Sequence, residues 1–506
     1  MLGARVRFLG TVLGELAEQE VRQRLDRLAG KQYEFAESGP SRAARVRASL
    51  ESLGPFYIKI GQLLSTRPDL VPADVAEELE RLHDRTEPLP FARMEPVLRA
   101  ELGSDWAAEF KEFDAVEPLG SASIAQVYRA RLTGGREVVV KVQRPGIKGT
   151  VDDDMRIARF AARVFARRAP LLDDSLGVES LLGAVLDAMS TELDFTAEAR
   201  TMELARKAAT GYERIRVPDV VLATPRVLIQ SLAPGTSIRD ADPDAFDDDE
   251  RSAIGRELFD FMCKGYFLDR VFHADPHPGN IFVQPGGPVT IIDWGMAGRV
   301  DRRLSMSLLL VMIGLAQNDS HVVAQSWSEM CRGTQHADIA AFRQDMALLV
   351  PQVFFSSLNQ LDFGAKLTKV LLLSSRRGIQ VNPLVSIVGR SFANLEGSVR
   401  HLAPDLSVVE TFTECMPGLV AGCARELASS TEIARLAMSL VAGSGLALSD
   451  ARSVLGRLAD GELTVQVDQV QRRVSLFGER ADARVRKVLH TALAATALRC
   501  WLRSRR

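Results

Sequence analysis

The side chains best suited to catalysis fall within one short segment, residues 272–295, which reads FHADPHPGNIFVQPGGPVTIIDWG. Asp275 and Asn280 lie five positions apart in a loop that two prolines, Pro276 and Pro278, make stiff. A carboxylate and an amide oxygen held in one loop can bind a hard cation or hydrogen-bond a reacting hydroxyl. The spacing therefore predicts a metal or proton-transfer site.

Two apolar stretches after this loop, Ile281–Val283 and Val289–Ile292, flank a QPGGP turn and predict a β-hairpin. The hairpin would return the chain so that Asp293, at the end of its second strand, approaches Asn280. One amide and one carboxylate oxygen then converge, and such hard oxygen ligands suit Mg²⁺ that is shared with phosphates. We therefore predict that Asn280 and Asp293 bind the metal, with Asp275 as a second carboxylate nearby.

Two other interpretations of this segment compete with the metal–phosphate site. In the first, the acidic and amide side chains only cap backbone groups in a turn-rich connector; the whole constellation favours the metal–phosphate site. In the second, His273 and His277 bind zinc. The prolines disfavour a helix here and no third ligand is visible in the sequence, so structural histidines are favoured.

A second signal is Lys141, which lies in the valine-rich stretch EVVVKVQ. This stretch and the preceding IAQVYRARL, joined by TGG, predict the two strands of a hairpin. An ammonium group among valines is costly to bury unless a carboxylate pairs with it. The next helical stretch offers Glu192, Asp194 and Glu198, with Glu192 on a face neighbouring that of the other two. We predict that Lys141 contacts nucleotide phosphates; the alternative is an edge-strand lysine that points to water.

Lys59 and Gln62 lie about one helical turn apart in the largely apolar segment 55–72. This pair is a weak signal, because a lysine at the margin of an amphipathic helix places its charge in water equally well. Physical chemistry alone therefore assigns no role to either residue.

The surrounding pattern predicts which elements hold these residues. Helical periodicity dominates the start of the chain up to Gly30, and residues 54–83 form a second helical segment that is interrupted near Pro68 and Pro72. The strands around Lys141 come next, then helices, the loop and hairpin, and a long helical remainder. This order predicts an α+β fold with two lobes.

Composition argues against several classes of protein. The chain has 506 residues, a size that usually divides into two or three packed units. Its net charge of −2 lacks the basic excess of nucleic-acid-binding proteins, so we expect no nucleic-acid partner. Five scattered cysteines without a CxxC pair predict a reducing compartment and no structural zinc site.

Hydropathy predicts a cytoplasmic protein. No apolar run is long enough to span a bilayer, and the first residues lack the features of a secretory signal. Residues 484–506 are rich in Arg and Lys and suit peripheral contact with an anionic membrane surface. A solvated helix end is the favoured interpretation of those charges.

In combination and in order, these motifs resemble the UbiB/AarF/ADCK family of atypical protein-kinase-like proteins, over about residues 54–405. Lys59-x-Gly61-Gln62 is similar to the family's KxGQ signature, which in relatives belongs to an N-terminal extension folded over the active site. The segment 384–405 resembles the family's C-terminal helical region. The resemblance implies a two-lobed kinase-like fold with a helical extension before the lobes and a helical region after them.

Further matches follow the order of the kinase catalytic motifs. The loop 120–123 takes the place of the family's alanine-rich loop; it begins Gly-Ser instead of Ala-Ala but keeps Ala122 and Ser123. The remaining matches are the nucleotide lysine at Lys141, the acidic helix motif at Glu192, Asp194 and Glu198, the catalytic-loop pair at Asp275 and Asn280, and a DFG-like triplet at Asp293-Trp294-Gly295.

The resemblance implies ATP and Mg²⁺ as cofactors and the activity of an ATP-dependent phosphotransferase or ATPase, with Asp275 and Lys141 as its catalytic residues. It implies that the nucleotide-binding residues are Lys141, Ala122, Ser123, Glu192, Glu198, Lys59 and Gln62. Because the KxGQ segment would occlude a protein-substrate groove, we expect ATP hydrolysis that supports isoprenoid-quinone or other lipid metabolism rather than phosphorylation of other proteins. A lipid or isoprenoid substrate, peripheral membrane contact and partner proteins stay open.

Two alternative functions remain. Small-molecule kinases that act on aminoglycosides or choline also space an Asp and an Asn in this way, but the KxGQ and ExD motifs argue against that class. A nucleotide-sensing scaffold without turnover is the other alternative, and the filled catalytic positions give it no support. Phosphorylation of a polar metabolite would favour the first, and tight binding of Mg-ATP without product would favour the second.

The sequence predicts five segments: a helical segment at 1–53, the KxGQ-containing extension at 54–110, the N-terminal lobe at 111–235, the C-terminal lobe at 236–414 and a helical extension at 415–506. Many bacterial relatives end in a pair of membrane-spanning helices. The apolar part of the last segment here is too short to span a bilayer, so we expect no membrane anchor in it.

Overall fold

The computed structural model describes residues 3, 5–9, 41–65, 67, 70–82, 86–168, 178–333, 337–355, 363–427, 462–467 and 470–475. Contacts divide the chain into two compact units, Met1–Met416 and Pro417–Arg506. The helix predicted before Gly30 and the basic segment 484–506 lie outside the described residues. All of the predicted site residues lie in the first unit. The boundaries of the five predicted segments stay a prediction.

Helices make up most of the described part of the first unit. In chain order the α-helices are α1 (Arg42–Leu53), α2 (Pro55–Ser65), α3 (Ala73–Glu80), α4 (Phe91–Leu102), α5 (Ile147–Arg168), α6 (Val178–Glu192), α7 (Phe195–Ala209), α8 (Asp248–Lys264), α9 (Arg302–Ala316), α10 (Ser320–Met330), α11 (Ile339–Phe355), α12 (Phe363–Arg376), α13 (Pro383–Leu402) and α14 (Val408–Leu427). None of the helices described here combines the length and the apolar character that a bilayer crossing requires.

The strands are short and mostly antiparallel. In chain order they are β1 (Phe110–Phe113), β2 (Gly120–Ser121), β3 (Ala125–Leu132), β4 (Glu137–Gln143), β5 (Ile215–Arg216), β6 (Val220–Ala223), β7 (Val227–Ser231), β8 (Thr236–Ser237), β9 (Val271–His273), β10 (Ile281–Val283), β11 (Val289–Ile291), β12 (Ala297–Arg299), β13 (Arg332–Gly333), β14 (Ile379–Gln380), β15 (Glu462–Val467) and β16 (Val470–Ser475). The last two pair as a hairpin within the second unit.

The main sheet determines the direction in which the Lys141 side chain points. Its strand order is β1–β3–β4–β7–β6, with β2 paired to β3, and the antiparallel pairing of β3 with β4 confirms the predicted hairpin. Successive residues of a strand point to opposite faces. Val138, Val140 and Val142 therefore pack in the core shared with α4, whereas Lys141 faces the other side of the sheet.

Helix α2 is wedged between two groups of helices. Phe56 packs in a buried cluster with residues of α5 and α6, and Ile58 packs in another with residues of α1 and α3. Gly61 lies where these elements approach most closely: a Cβ there would clash with Leu82 and come within 2.9 Å of Leu50. Packing therefore requires glycine at the third position of the KxGQ signature.

A second group of strands brings together the two segments that are predicted to be catalytic. Strands β10 and β11 pair antiparallel, as predicted, and β9 pairs with β12. The loop between β9 and β10 holds Asp275 and Asn280, and the segment between β11 and β12 holds Asp293. Main-chain hydrogen bonds link the two segments directly, from the Ile292 N–H to the Asn280 carbonyl at 2.9 Å and between the residues that flank them. Together with the mainly helical remainder, this confirms a two-lobed α+β architecture.

Candidate active site

Lys141 lies at the centre of a charged cluster. Its Nζ donates to Glu198 Oε1 at 3.1 Å and Oε2 at 2.9 Å, and to Asp293 Oδ1 at 3.1 Å. The exposed fractions of the side chains are 22% for Lys141, 4% for Glu198 and 52% for Asp293. Glu198 is therefore the inner partner that holds the lysine, and Asp293 faces the open side of the site.

The cluster fixes the charges of its members. Burial lowers the pKa of Lys141, but the Asp293 and Glu198 carboxylates outweigh burial, so the pKa is raised above its ordinary value. Lys141 in turn holds the pKa of Asp293 well below its usual range. Burial raises the pKa of Glu198 against the opposing effect of Lys141. At neutral pH Lys141 is therefore a cation and Asp293 an anion.

The acidic motif spans two helices instead of one. Helix α6 ends at Glu192, and Asp194 caps the start of α7 by accepting from the Thr196 N–H at 3.0 Å. The expectation that Glu192 and Glu198 lie on neighbouring faces of one helical stretch is therefore wrong, because an aspartate that caps a new helix has a non-helical backbone. Glu198, in the first turn of α7, is the carboxylate that pairs with Lys141.

Glu192 has a different partner. It forms an ion pair with Lys59 of α2, and the Lys59 Nζ also lies 2.8 Å from Met296 Sδ. Met296 is three residues beyond Asp293, so the KxGQ helix lies against the segment that directly follows the predicted metal ligand. The structure thus brings Lys59 to the margin of the charged cluster.

Gln62 connects α2 to two other elements. Its main-chain carbonyl accepts from Arg390 Nη1 of α13 at 2.9 Å. Its side-chain Nε2 donates to the Leu82 carbonyl at 3.4 Å, close to the limit for a hydrogen bond. These contacts give Gln62 a packing role, and its nucleotide contact stays a prediction.

Asn280 is oriented by the loop that contains it. Its Nδ2 donates to the Asp275 main-chain carbonyl at 3.1 Å, so the Oδ1 atom of the same amide points the other way and can accept or ligate. The residue is 8% exposed. Its main-chain link to Ile292 sets this amide next to the segment that holds Asp293.

Asp293 adopts a left-handed backbone conformation with φ of 58°. Outside glycine this region is uncommon, although Asp and Asn visit it more readily than other residues, and such residues are enriched at functional sites. The neighbouring Trp294 is buried, and its Nε1 donates to the Ile291 carbonyl at 3.0 Å. The indole therefore fixes the turn in which Asp293 sits.

The two histidines contact the backbone of the catalytic loop. His273 Nδ1 accepts from the Asp275 N–H at 3.2 Å, so Nε2 carries the proton that is shared with the Ile292 carbonyl at 3.0 Å. Burial lowers the pKa of His273, which keeps the ring neutral. His277 Nδ1 accepts from the Gly279 N–H at 2.9 Å. Both rings thus shape the loop, as the structural interpretation of these residues expects.

Helix α13 forms hydrogen bonds with the loop around Asp275, and the sequence did not predict these contacts. Asn394 Nδ2 donates to Asp275 Oδ1 at 2.6 Å. Ser391 and Ser398, on the same helix, donate to main-chain carbonyls of the segment around Asp275 at 2.5 and 2.8 Å. Polar residues at a spacing of three and four in a helix with an apolar face were the signal that could have identified this contact.

Arg144 is a second residue that the sequence did not single out. Its Nε donates to the Ala122 carbonyl at 2.7 Å, and its Nη2 donates to Ser121 Oγ at 2.7 Å and to Thr86 Oγ1 at 2.6 Å. Ser123 in the same loop is buried. The alanine-containing loop is therefore tied to one guanidinium group and to the segment before α4.

The donor set fits Mg²⁺. Asp293 and Asn280 each carry a hard oxygen atom that would ligate the ion, and Mg²⁺ typically takes one or two protein ligands and completes its shell with phosphates and water. Among the described residues, no group of three or more His, Cys, Asp or Glu side chains is arranged to hold a metal alone. This region has four carboxylates and two ammonium groups. The carboxylates belong to Glu192, Glu198, Asp275 and Asp293, and the ammonium groups to Lys59 and Lys141.

Comparison with known proteins identifies the family of this chain. Residues 81–327 match the family model of the ABC1 atypical kinase-like domain. The chain is 34% identical over 377 residues to the "Probable protein kinase UbiB" of Pseudomonas putida (strain GB-1), which covers 73% of this chain and 69% of that protein. It is 33% identical over 383 residues to the protein of the same name from Aeromonas hydrophila subsp. hydrophila. That alignment covers 74% of this chain and 69% of the relative.

One solved structure supports the fold independently. The structure entitled "The complex structure of Rv3197-erythromycin from Mycobacterium tuberculosis" aligns with a TM-score of 0.50 and 22% sequence identity. The alignment covers 79% of this chain and 99% of that chain. At this level of identity the similarity concerns the fold alone.

Proposed function

Because this chain belongs to the UbiB family of ABC1 atypical kinase-like proteins, we propose that it binds Mg-ATP and uses it for phosphoryl transfer or hydrolysis. The observation that carries the proposal is the contact of one lysine, Lys141, with both Glu198 and Asp293 at 3.1 Å or less. A lysine oriented by one carboxylate beside a second, metal-binding carboxylate is the arrangement that kinases use.

Lys141 orients the nucleotide. Its ammonium group is cationic at neutral pH, and Glu198 keeps it at a fixed position on the sheet. In this role it contacts the α- and β-phosphates, and the neighbouring loop that contains Ala122 and Ser123 covers them. Arg144 keeps that loop in place before the nucleotide arrives, which lowers the entropy cost of binding.

Asn280 and Asp293 would hold Mg²⁺. Asp293 is half-exposed and Asn280 Oδ1 is turned away from the loop backbone, so both oxygens are available to a cation. When bound, the ion neutralises charge that develops on the transferred phosphoryl group. When Asp293 ligates the ion, Lys141 keeps Glu198 as a partner and stays in position.

Asp275 positions the attacking hydroxyl or water. Asn394 donates to one carboxylate oxygen, Oδ1, and so fixes the plane of the group. The other oxygen then faces the reacting atom and accepts its proton or orients it. Asn394 acts through Asp275 and is a positioning residue.

The position of α2 supports ATP hydrolysis over phosphorylation of other proteins. Lys59 of this helix contacts both Glu192 and Met296, so α2 lies against the segment where a protein substrate of a typical kinase would dock. We extend the proposal to a supporting role in isoprenoid-quinone or other lipid metabolism, on the strength of the family resemblance. The small-molecule kinase and the scaffold are not favoured by any contact of this site.

Turnover of ATP in the Asp293→Asn variant tests the proposal. Asparagine tolerates the left-handed backbone of this position, so the variant removes charge with little strain. We expect turnover to fall by about 100-fold or more, because a metal ligand contributes several kcal/mol to the transition state. Asp249→Asn, an exposed carboxylate of α8, is the matched control and should retain full activity. Equal turnover in wild type and Asp293→Asn would contradict the proposal.

A further inference from the structure

A large cavity lies next to the charged cluster without including it. Its volume is about 1070 Å³, and it is bounded by α6, α7, the segment from Gly295 to Arg299, and the start of α13. Ligand pockets typically have volumes of about 300–1,000 Å³. Lys141, Asn280 and Asp293 are absent from its lining, so this space differs from the proposed nucleotide site.

Small residues on several elements leave this space open. Helix α6 contributes Gly183, Ala184 and Ala188, which follow one face of the helix. Helix α7 contributes Ala197 there, and the catalytic loop contributes Ala274. The cavity therefore exists because three separate elements place small side chains around it.

The lining has the chemistry of an amphipathic site. Its charged side chains are three arginines, Arg67, Arg200 and Arg299, and a single carboxylate, Asp187. Guanidinium groups match phosphate and carboxylate oxygens in pairs. The remaining wall is largely apolar and includes Met296, Met330, Val381, Leu384 and Ile387. A ligand with an anionic group and an apolar body would match both the arginines and the apolar wall.

The cavity meets the catalytic centre at Gly295. A Cβ built on this glycine would lie 3.4 Å from both Asp293 Oδ1 and Glu198 Oε2. Gly295 also lines the cavity, as does Ala274, which precedes Asp275. A molecule in the cavity would thus be separated from the charged cluster by little more than the backbone of one residue.

We propose that this cavity is a second ligand site that binds an amphipathic anion, with a phosphate or carboxylate group on an apolar body. Arg200 and Arg299 contact the anionic group, and the apolar wall around Ile387 contacts the body. This site goes beyond the nucleotide function and does not depend on it, because binding can be measured without ATP.

Decyl phosphate, used below its micelle concentration, is the probe, and isothermal titration of the full chain is the measurement. We expect one molecule to bind per chain, about tenfold or more tighter than either inorganic phosphate or decanol, because each lacks one half of the recognition. If inorganic phosphate binds as tightly as decyl phosphate, the apolar wall does not contribute to binding and the proposal is refuted. If decanol binds as tightly as decyl phosphate, the arginines do not recognise the anionic group and the proposal is likewise refuted. Absence of binding would overturn the proposal entirely.

Two variants locate the probe. Ile387→Trp fills the cavity and Arg299→Gln removes a guanidinium group, and each should weaken decyl phosphate binding about tenfold. The matched controls Leu348→Trp and Arg163→Gln, both exposed and outside the lining, should bind as wild type does.

Measurements with ATP separate this proposal from the nucleotide function. Asp293→Asn should keep its affinity for decyl phosphate. A clearly tighter affinity in this variant, as expected where loss of a carboxylate frees Lys141 for an anion, would place the probe in the nucleotide site and refute the proposal. Ile387→Trp should still bind Mg-ATP. Failure of Mg-ATP binding in every protein, with decyl phosphate binding intact, would contradict only the nucleotide function.

Discussion

Replacing Lys141 with methionine would leave the Glu198 side chain, which belongs to a residue only 3% exposed, without its ammonium partner. At the observed 2.9 Å, two unit charges attract by about 6 kcal/mol at an effective dielectric constant of about 20, and desolvation offsets part of this. Removing one partner of a buried ion pair typically costs about 3–5 kcal/mol. Because Lys141 is 22% exposed, we expect the lower end of that range, about 3 kcal/mol.

The double variant Lys141→Met/Glu198→Gln separates lost charge pairing from lost packing. Glutamine keeps the size of the side chain but carries no charge, so the double variant should recover more than half of the lost free energy of unfolding. Turnover of ATP should stay lost in both variants, since the lysine is absent from both.

The stability lost in Lys141→Met should depend on pH, in a direction that follows from the pKa of Glu198. Burial raises the pKa of Glu198, and loss of Lys141 removes the opposing effect, so the pKa rises further in Lys141→Met. The folded state then binds a proton more tightly than the unfolded state, whose glutamate titrates near pH 4.3. The free energy of unfolding therefore falls as pH rises from that value through the folded-state pKa. Lys141→Met should lose less stability at pH 5 than at pH 8.

Urea unfolding at both pH values measures this effect on wild type, both variants and the control Lys148→Met, an exposed lysine of α5. The control should match wild type at each pH. A loss in Lys141→Met that is the same at pH 5 and pH 8, or a double variant as unstable as the single one, would refute the account of Glu198 as a buried, lysine-dependent carboxylate.

Three further changes test other parts of the site. Asn394→Ala should lower kcat for ATP about 10- to 100-fold and leave the Kd of Mg-ATP unchanged, because a charge-assisted hydrogen bond to Asp275 contributes about 1.5–3 kcal/mol. Arg144→Gln should raise the Kd of Mg-ATP about tenfold, as the nucleotide loop loses its anchors. Gly298→Ala should lower the free energy of unfolding by about 1–3 kcal/mol, because its Cβ would overlap the Phe272 ring.

Each of these three changes has a matched control. Gln325→Ala on α10 and Arg163→Gln on α5 alter exposed side chains and should leave kcat and Kd unchanged. Gly397→Ala lies in a helix with nothing within 4 Å of its Cβ, so it should stabilise the fold slightly. A fall in ATP affinity as large as the fall in kcat for Asn394→Ala would argue against a positioning role for that residue.

Local patterns predicted the parts of this site that depend on neighbouring residues. The run of valines around Lys141 predicted both its strand and its need for a carboxylate, and the QPGGP turn predicted the hairpin that leads to Asp293. These features follow from strand periodicity and turn chemistry, which a single sequence displays.

Contacts between distant parts of the chain could not be predicted in this way. Asn394 is 119 residues from Asp275 and Arg144 is 58 residues from Thr86, so neither pairing leaves a local pattern. The acidic motif failed for a different reason: Asp194 was taken as part of a continuous helical stretch, whereas its side chain caps a new helix. The assignment of Lys59 and Gln62 to the nucleotide rests on resemblance and stays a prediction.

The proposed function requires that Asp293 and Asn280 hold Mg²⁺ for a nucleotide that Lys141 orients. Isothermal titration of ATP, with Mg²⁺ and with EDTA, into wild type and Asp293→Asn measures this requirement. We expect one nucleotide per wild-type chain, an affinity that Mg²⁺ raises at least about tenfold, and loss of that gain in Asp293→Asn. Binding to wild type that is the same in EDTA, or an undiminished Mg²⁺ effect in the variant, would contradict it.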